Sequence, residues 1–374
     1  MKILYWVNTF LPDIGGIQTL SADLVPALVR LGHEFIILAS HGLVAAPDRS
    51  EHQGIQVYRF NMHMPQLQND LRAIIRTRRY IQEMIASFEP DLIHLHPLGS
   101  EILFYLQIRN VMPLPTLATV HNNYSRRNIV LSAESGFGKV LRRADWVTSV
   151  SHDSMAWLRR EVPELEPKSS VVHNGVPSTQ LDVQPLSWTP PVLLYVGRLA
   201  PQKRLDILLR AFARVLDRLP QTRLVLAGTG SEGGTLQALA VELQIEAEVE
   251  FLGRIPPESV RELLNTATIF VMSSIYEGLP MVALEAAQMA RPVVATQVGG
   301  IPEAVRHGDT GLLVEPEDPV ALAEALLSLL SDPEQAAAMG RAGQEQVSEQ
   351  FTIETTAARY DQLYNRLNPA AGEV

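Results

Sequence analysis

Short runs of β-branched and aliphatic residues alternate along the chain with stretches whose apolar residues recur at three- and four-residue intervals. Such alternation is the pattern of βαβ units feeding a parallel sheet. In the first half it predicts strands over residues 2–7, 34–39, 55–60, 91–96, 116–121, 146–149 and 170–173. Helical spacing between them is clearest at Leu71, Ile74, Ile75, Ile81 and Ile85, a stripe suited to covering a sheet. Pro26 falls inside the first helical pattern and is expected to kink or shorten that helix.

Residues 177–191 interrupt the rhythm, with Pro177, Pro185, Pro190 and Pro191 among polar residues, and read as an interdomain linker. Strands are expected again over 192–196, 223–227, 249–252, 269–272, 292–295 and 312–314. No short-period repeat is present. The expected fold is α/β, with two Rossmann-like, doubly wound domains facing each other across a cleft. The expected boundaries are 1–180 for the first domain, 181–191 for the linker, 192–350 for the second domain and 351–374 for a final segment. Parallel sheets bind ligands at the carboxyl ends of their strands, so the loops that follow strands are where chemistry is sought.

Composition narrows the classes. The chain has 374 residues, 46% hydrophobic and 19% charged, more than one small core needs and unlike a disordered segment. No apolar run reaches the roughly 18–20 residues of a membrane-spanning helix. Residues 1–7 hold one lysine and no small-residue cleavage site, which argues against a signal peptide. The absence of cysteine excludes disulfides, thiolate metal sites and a cysteine nucleophile, and fits a cytoplasmic location. Net charge is −10, and residues 1–185 are balanced with 17 basic and 17 acidic side chains. The remainder holds 14 basic and 24 acidic, so the basic excess of a non-specific nucleic-acid binder is missing. Two local basic clusters stand out: Arg72, Arg76, Arg78 and Arg79, then Arg126, Arg127, Lys139, Arg142 and Arg143. A solvated helix face is the ordinary reading of such clusters. The other is a docking surface for an acidic acceptor or anionic lipid, with the protein peripheral at the inner face of a membrane.

Candidate chemistry lies in the post-strand loops. After the first strand, Gly15-Gly16 precede a helix, where backbone N–H groups and the helix dipole suit an anion. An ordinary turn accounts for the pair equally well. At the start of the second half, Arg198 and Lys203 lie in one strand-to-helix loop, and two converging cations suit a diphosphate. A third loop, residues 273–285, carries Glu277 and Glu285 on either side of Pro280, which is placed to open a helix. Two acids so placed can hold hydroxyls at both ends of a polyhydroxylated ligand. Both stand among apolar residues, where an unpaired carboxylate is costly, so a structural ion pair for Glu285 is the alternative.

Residues 228–233 form a literal G-x-G-x-x-G with Glu250 beyond it, which alone suggests a dinucleotide-dependent oxidoreductase. However, an earlier strand precedes it in the same domain and no hydride-transfer site is evident. His94 and His96 alternate on one strand and face the same side, and without cysteine or an Asp-x-Asp they read as core or cleft-lining residues rather than metal ligands. His121 ends a strand before the polar turn Asn122-Asn123-Tyr124, where an imidazole can meet a ligand.

Gly15-Gly16, His121, Asn174-Gly175-Val176, Gly197-Arg198 with Lys203, Glu277-Gly278-Leu279-Pro280 and Glu285 occur in an order that resembles glycosyltransferase family 4. The Glu277 and Glu285 spacing is that family's signature, and Gly299-Gly300-Ile301-Pro302-Glu303 and Gly311-Leu312-Leu313-Val314 match its later landmarks. The resemblance runs from Met1 to about Tyr360. It implies the GT-B architecture, a retaining mechanism, a nucleotide-sugar donor such as UDP-glucose or GDP-mannose, and no obligatory metal or other cofactor. It further implies that Arg198 and Lys203 hold the donor diphosphate. Glu277 would bind sugar hydroxyls beside the N–H groups of Gly278 and Leu279, and Glu285 would bind the ribose. By the same resemblance His121 contacts the sugar, Gly15-Gly16 admit the diphosphate and acceptor, and a last helix over 353–367 crosses back to the first domain. The loops around Gly228, Gly230 and Arg254 are where the base would be read. Two departures, Gln18 and Asn122 where many relatives carry acids, both fall on the acceptor side.

Chemically, departure of a nucleoside diphosphate builds negative charge that Arg198, Lys203 and helix N-termini can stabilise. No carboxylate offers itself as a nucleophile, and the resemblance implies same-face attack assisted by the leaving phosphate. The acceptor is expected to be a hydroxyl of a sugar, a lipid-linked glycan or a small molecule. The alternatives are a GT-B-like nucleotide-sugar epimerase, a phosphorylase and a non-catalytic nucleotide-sugar-binding protein.

Overall fold

A computed structural model of the chain describes residues 1–63, 68, 70–123, 131–178 and 182–368. It divides into two units, one formed by Met1–Asn174 with Ile353–Val374, the other by Gly175–Thr352.

In unit 1 the strands are β1 (Lys2–Trp6), β2 (Glu34–Ser40), β3 (Arg49–His52), β4 (Ile55–Phe60), β5 (Leu92–Leu95), β6 (Thr116–Val120), β7 (Trp146–Ser149) and β8 (Ser169–Val171). They form one sheet in the order β3-β4-β2-β1-β5-β6-β7-β8. All pairs are parallel except β3 with β4. The expected strands are present; β3 is additional. Its sequence, Arg49-Ser50-Glu51-His52, has no apolar alternation, because it is an antiparallel edge strand whose residues are half-buried or exposed. The inner strands are covered on both faces and therefore read as continuous apolar runs. On one face Leu4, Trp6, Leu95, Ala118, Val120 and Val147 pack with Phe104, Tyr105, Val140 and Leu158.

Helix Gly16–Arg30 runs unbroken through Pro26, so the expected shortening does not occur. Proline has no N–H to give the carbonyl of Ala22 four residues back. That carbonyl instead accepts a hydrogen bond from His52 Nε2 at 3.1 Å, so the edge strand supplies the missing donor. The helix Leu71–Phe88 also differs from its expected orientation. Ile81 and Ile85 are buried, whereas Leu71 and Ile75 turn outward, 71% and 56% exposed.

Unit 2 holds β9 (Val192–Val196), β10 (Arg223–Ala227), β11 (Val249–Gly253), β12 (Ile269–Met272), β13 (Val293–Thr296) and β14 (Gly311–Val314). The sheet is wholly parallel, ordered β11-β10-β9-β12-β13-β14. Counted within the unit, that order is 3-2-1-4-5-6, the doubly wound Rossmann arrangement with its crevice at the carboxyl ends of β9 and β12. Helices Leu205–Leu216 and Pro319–Ser331 pack together on it. Residues 182–191 are fastened to this unit and do not hang as a tether. Asn265 Nδ2 donates to the Asp182 carbonyl at 2.7 Å, Thr268 Oγ1 to the Ser187 carbonyl at 2.5 Å, and the buried Arg291 to the Gln184 carbonyl.

The chain then returns to unit 1. Helix Ile353–Leu367 packs against helix Gly16–Arg30, buries Tyr360 and Tyr364, and pairs Asp361 with His33 at 2.9 Å. Among the described residues, no helix is long and apolar enough to cross a membrane.

Candidate active site

The crevice of unit 2 is built from two loops. After β9 the chain passes through Gly197, at φ +153°, and a short helical turn, Pro201–Lys203, before helix Leu205–Leu216 begins. After β12 come Ser273 and Ser274. Ser273 Oγ donates to the carbonyls of Lys203 and Arg204 at 2.8 and 2.9 Å, and Ile275 N donates to the Gln202 carbonyl at 2.9 Å. Three bonds thus stitch the loops together at the switch point.

Across this seam Lys203 Nζ donates to Glu277 Oε1 at 2.5 Å, and Ser274 Oγ donates to the same oxygen at 2.6 Å. The pair is largely shielded, its side chains 17% and 10% exposed. The buried Tyr195 hydroxyl donates to the Arg198 carbonyl at 2.9 Å. Its pKa is held far above the ordinary phenol range by burial first and by the Glu277 charge second. Arg198 is exposed and makes no ion pair or hydrogen bond with its guanidinium among the described residues. A free guanidinium, a shielded ammonium and a carboxylate therefore share one crevice, with helix Leu205–Leu216 starting beside them. That arrangement can receive an anion and hydroxyl groups together.

Several glycines are explained by backbone packing here. A Cβ on Gly228, at φ +140°, would stand 1.9 Å from the Gly197 carbonyl, and one on Gly230 would stand 2.2 Å from that of Leu199. The G-x-G stretch thus supports the Arg198 loop from beneath. Arg254, exposed, follows Gly253, whose carbonyl accepts from Gly228 N at 2.7 Å. Gly299, at φ +55°, lies against the Glu277 backbone, where a Cβ would be 2.0 Å from its carbonyl. Gly278 and Leu279 are buried, Pro280 caps helix Met281–Gln288, and Glu285 is half-buried one turn into that helix.

Unit 1 carries its own group. Gly15 is extended and precedes helix Gly16–Arg30; a side chain there would meet Gln18 Oε1 at 2.5 Å. Gln18, one of the two departures, donates to Thr9 Oγ1 at 2.6 Å and so closes the loop after β1. His121 follows β6 and is half-buried, its Nε2 2.6 Å from His96 Nδ1. His94 is wholly buried, with Nδ1 2.6 Å from the Tyr364 hydroxyl and Nε2 2.8 Å from Thr119 Oγ1. Burial lowers the pKa of all three histidines, that of His121 to about 4, and mutual repulsion lowers His94 and His96 further. All three are neutral imidazoles near pH 7. Glu101, fully buried after β5, accepts from the N–H groups of Leu98 and Gly99 at 2.5 and 2.6 Å. Burial raises its pKa against those bonds.

Of the basic clusters, Arg72, Arg76 and Arg79 face solvent beside Leu71 and Ile75, Arg79 Nε donating to Glu83 Oε1 at 2.8 Å, with Arg78 half-buried. Lys139 pairs with Glu134 and Arg142 with Glu164, and Arg143 donates to Asn110, so that group is spent on local structure. Tyr124, Arg126 and Arg127 lie outside the described residues. Sequence reasoning placed Ser273 and Ser274 in the third loop without giving them a role, and missed Tyr195 and the bond from His96 to His121. For the serines, the one available signal was their place directly after an apolar strand.

Comparison with known proteins decides the family. A match to the family described as Glycosyltransferase Family 4 spans residues 14–180, and one to Glycosyl transferases group 1 spans residues 179–346. The D-inositol 3-phosphate glycosyltransferase of Corynebacterium urealyticum is 33% identical over 306 residues, 74% of this chain and 72% of that protein. The chain belongs to glycosyltransferase family 4. This family 4 enzyme is also 28% identical to the N-acetyl-alpha-D-glucosaminyl L-malate synthase of Bacillus anthracis, over 97% of both chains. The structure of sucrose-phosphate synthase from Thermosynechococcus elongatus matches the glycosyltransferase with a TM-score of 0.82 at 26% identity, covering 99% of each chain. Anabaena HepE, solved with UDP-glucose, shares the fold at a TM-score of 0.79 and 20% identity, over 98% and 100% of the chains. The two α/β units are those of the GT-B architecture.

Proposed function

We propose that the glycosyltransferase moves a hexose from a nucleoside-diphosphate sugar, of the UDP or GDP class, to a hydroxyl acceptor with retention of anomeric configuration. The observation that carries this reading is the Lys203–Glu277 contact at 2.5 Å on the two loops flanking the switch point of unit 2. One member suits a phosphate and the other suits sugar hydroxyls. In this reading Arg198 and Lys203 receive the diphosphate and Glu277 the hexose hydroxyls, with Gly278 and Leu279 beside them. Glu285 takes the ribose. Gly228, Gly230 and Arg254 flank the base. Gly15, Gly16 and His121, in unit 1, are assigned by family resemblance.

The chemistry follows from charge. As the bond from the anomeric carbon to the β-phosphate oxygen breaks, charge develops on the phosphate and an oxocarbenium-like charge on the ring. Arg198, Lys203 and the N-terminus of helix Leu205–Leu216 stabilise the former. The acceptor oxygen attacks from the face the phosphate leaves, and its proton passes to that phosphate. In this scheme protein cations stabilise the leaving group, and no metal ion is required. The relatives' names carry L-malate and D-inositol 3-phosphate, both small hydroxylated anions. An acceptor of that class is the first to try. The outward face of helix Leu71–Phe88, with Arg72, Arg76 and Arg79 beside exposed Leu71 and Ile75, supports an accessory contact with anionic membrane.

The test is a panel of UDP-, GDP- and ADP-sugars, with and without malate, inositol phosphate, sugar phosphates and lipid-linked acceptors. Donor release and the product's anomeric configuration are read by NMR, with and without EDTA. Retention, acceptor-dependent donor release and EDTA resistance support the proposal. An inverted product, donor turnover to an epimer without acceptor, or a phosphate requirement overturns it.

A further inference from the structure

The neutral His121 has two ring nitrogens, and which one carries the proton decides what it offers a ligand. Nε2 is engaged by His96 Nδ1 at 2.6 Å, with the rings close to coplanar at 21° and centroids 4.9 Å apart. Such an in-plane contact holds one shared proton. We propose that His96 is a positioning residue: it donates Nδ1–H to His121 Nε2 and so fixes His121 in the tautomer that presents Nδ1–H to the transferred sugar. This rests on the reading that His121 meets the sugar.

The direction of the bond follows from the far side of His96. That residue is 2% exposed, and among the described residues its Nε2 has no hydrogen-bond partner. A proton on Nε2 would leave a buried N–H donor orphaned, the kind of group that folded proteins rarely tolerate. With the proton on Nδ1, the orphan is a bare acceptor nitrogen and the donor is satisfied by His121. The ring of His96 is held in place by Tyr5 and His94, with centroids at 4.5 and 4.4 Å. His94 is itself pinned by Tyr364 and Thr119. The last helix therefore reaches His121 through two packed imidazoles, all within unit 1.

The experiment uses the full-length enzyme and its His96→Leu, His96→Asn and His121→Asn variants, with kcat and KM measured on UDP-glucose and GDP-mannose. Long-range 15N–1H NMR of the histidine rings reads the tautomer. An asparagine amide can replace Nδ1–H, whereas leucine cannot. The expected outcome is a kcat about 10- to 100-fold lower in His96→Leu with KM nearly unchanged, and recovery in His96→Asn. His121 should read as the Nδ1–H form in wild type and lose that preference in His96→Leu. Wild-type kcat in His96→Leu while His121→Asn is inactive, or an Nε2–H signal for His121 in wild type, overturns the inference. Full activity in His121→Asn instead refutes the role of His121 in sugar contact, and the wild-type NMR spectrum then decides the His96 bond alone. That spectrum also decides if His96→Leu fails to fold.

Discussion

Replacing Glu277 with glutamine separates the two tasks assigned to the unit 2 crevice. The amide preserves shape and can still accept from Ser274 and Lys203, but it removes the negative charge lying 2.5 Å from Lys203 Nζ. Any phosphate oxygen in hydrogen-bond contact with Lys203 must then lie within about 5 Å of where that charge was. Repulsion between unit charges at about 5 Å is about 0.8 kcal/mol in water and about 3 kcal/mol at the effective dielectric of a protein surface. Glu277→Gln should therefore bind free nucleoside diphosphate more tightly, by about 4- to 150-fold. Transfer should fall at least 100-fold, because the hydroxyls lose a charged acceptor. Calorimetric titration with UDP, GDP and ADP, beside a donor-turnover assay, measures both numbers. The gain in affinity should shrink as salt rises. Weaker or unchanged diphosphate binding in Glu277→Gln would refute the assignment of Lys203 to the phosphates, whatever happened to turnover.

Three further outcomes follow from other parts of the molecule. Lys203→Ala should lower donor turnover about 10- to 150-fold with an unchanged circular dichroism spectrum; wild-type turnover would remove Lys203 from the site. Because His121 has a folded-state pKa of about 4, below the unfolded value of about 6.5, its contribution to stability is intact above pH 6.5 and is lost as pH falls toward 4. Denaturant midpoints should show wild type losing about 2 kcal/mol more than His121→Asn between pH 6.5 and 5, and parallel losses would contradict the shift. Removing Arg72 and Arg76 together should cut sedimentation with anionic vesicles by about 2 kcal/mol of binding energy, and Leu71→Ser with Ile75→Ser should cut it as well. Sedimentation indifferent to lipid charge would dismiss the membrane contact.

The parallel strands of both sheets were legible because parallel strands buried on two faces leave uninterrupted apolar runs, as in Leu193-Leu194-Tyr195 and Phe270-Val271-Met272. The post-strand loops could be located for the same reason, and with them Arg198, Lys203 and Glu277. What pairs with what was not legible. Lys203 and Glu277 are 74 residues apart, and their contact depends on β9 lying beside β12. His94 and His96 do share one side of β5, but the partner of His96 stands on the neighbouring strand's end, a fact of register rather than spacing. Strand β3 escaped notice because an edge strand needs no apolar face. At Pro26 the local rule about proline held chemically, yet His52, 30 residues downstream of Ala22, supplied the lost bond. Leu71 and Ile75 fit the helical period but fall on its outer side, and apolar spacing alone does not tell which face is covered.

The helix Ile353–Leu367 has a consequence for how the molecule is made. Unit 2 is one continuous stretch of chain, while unit 1 lacks Tyr360, Tyr364 and the His33 partner Asp361 until residues 353–367 emerge. During synthesis, the unit that is begun earlier of the two is thus completed later. A nascent chain halted before residue 353 would carry a finished second half and an unfinished first one, with the aromatic and imidazole face of its sheet open to chaperones.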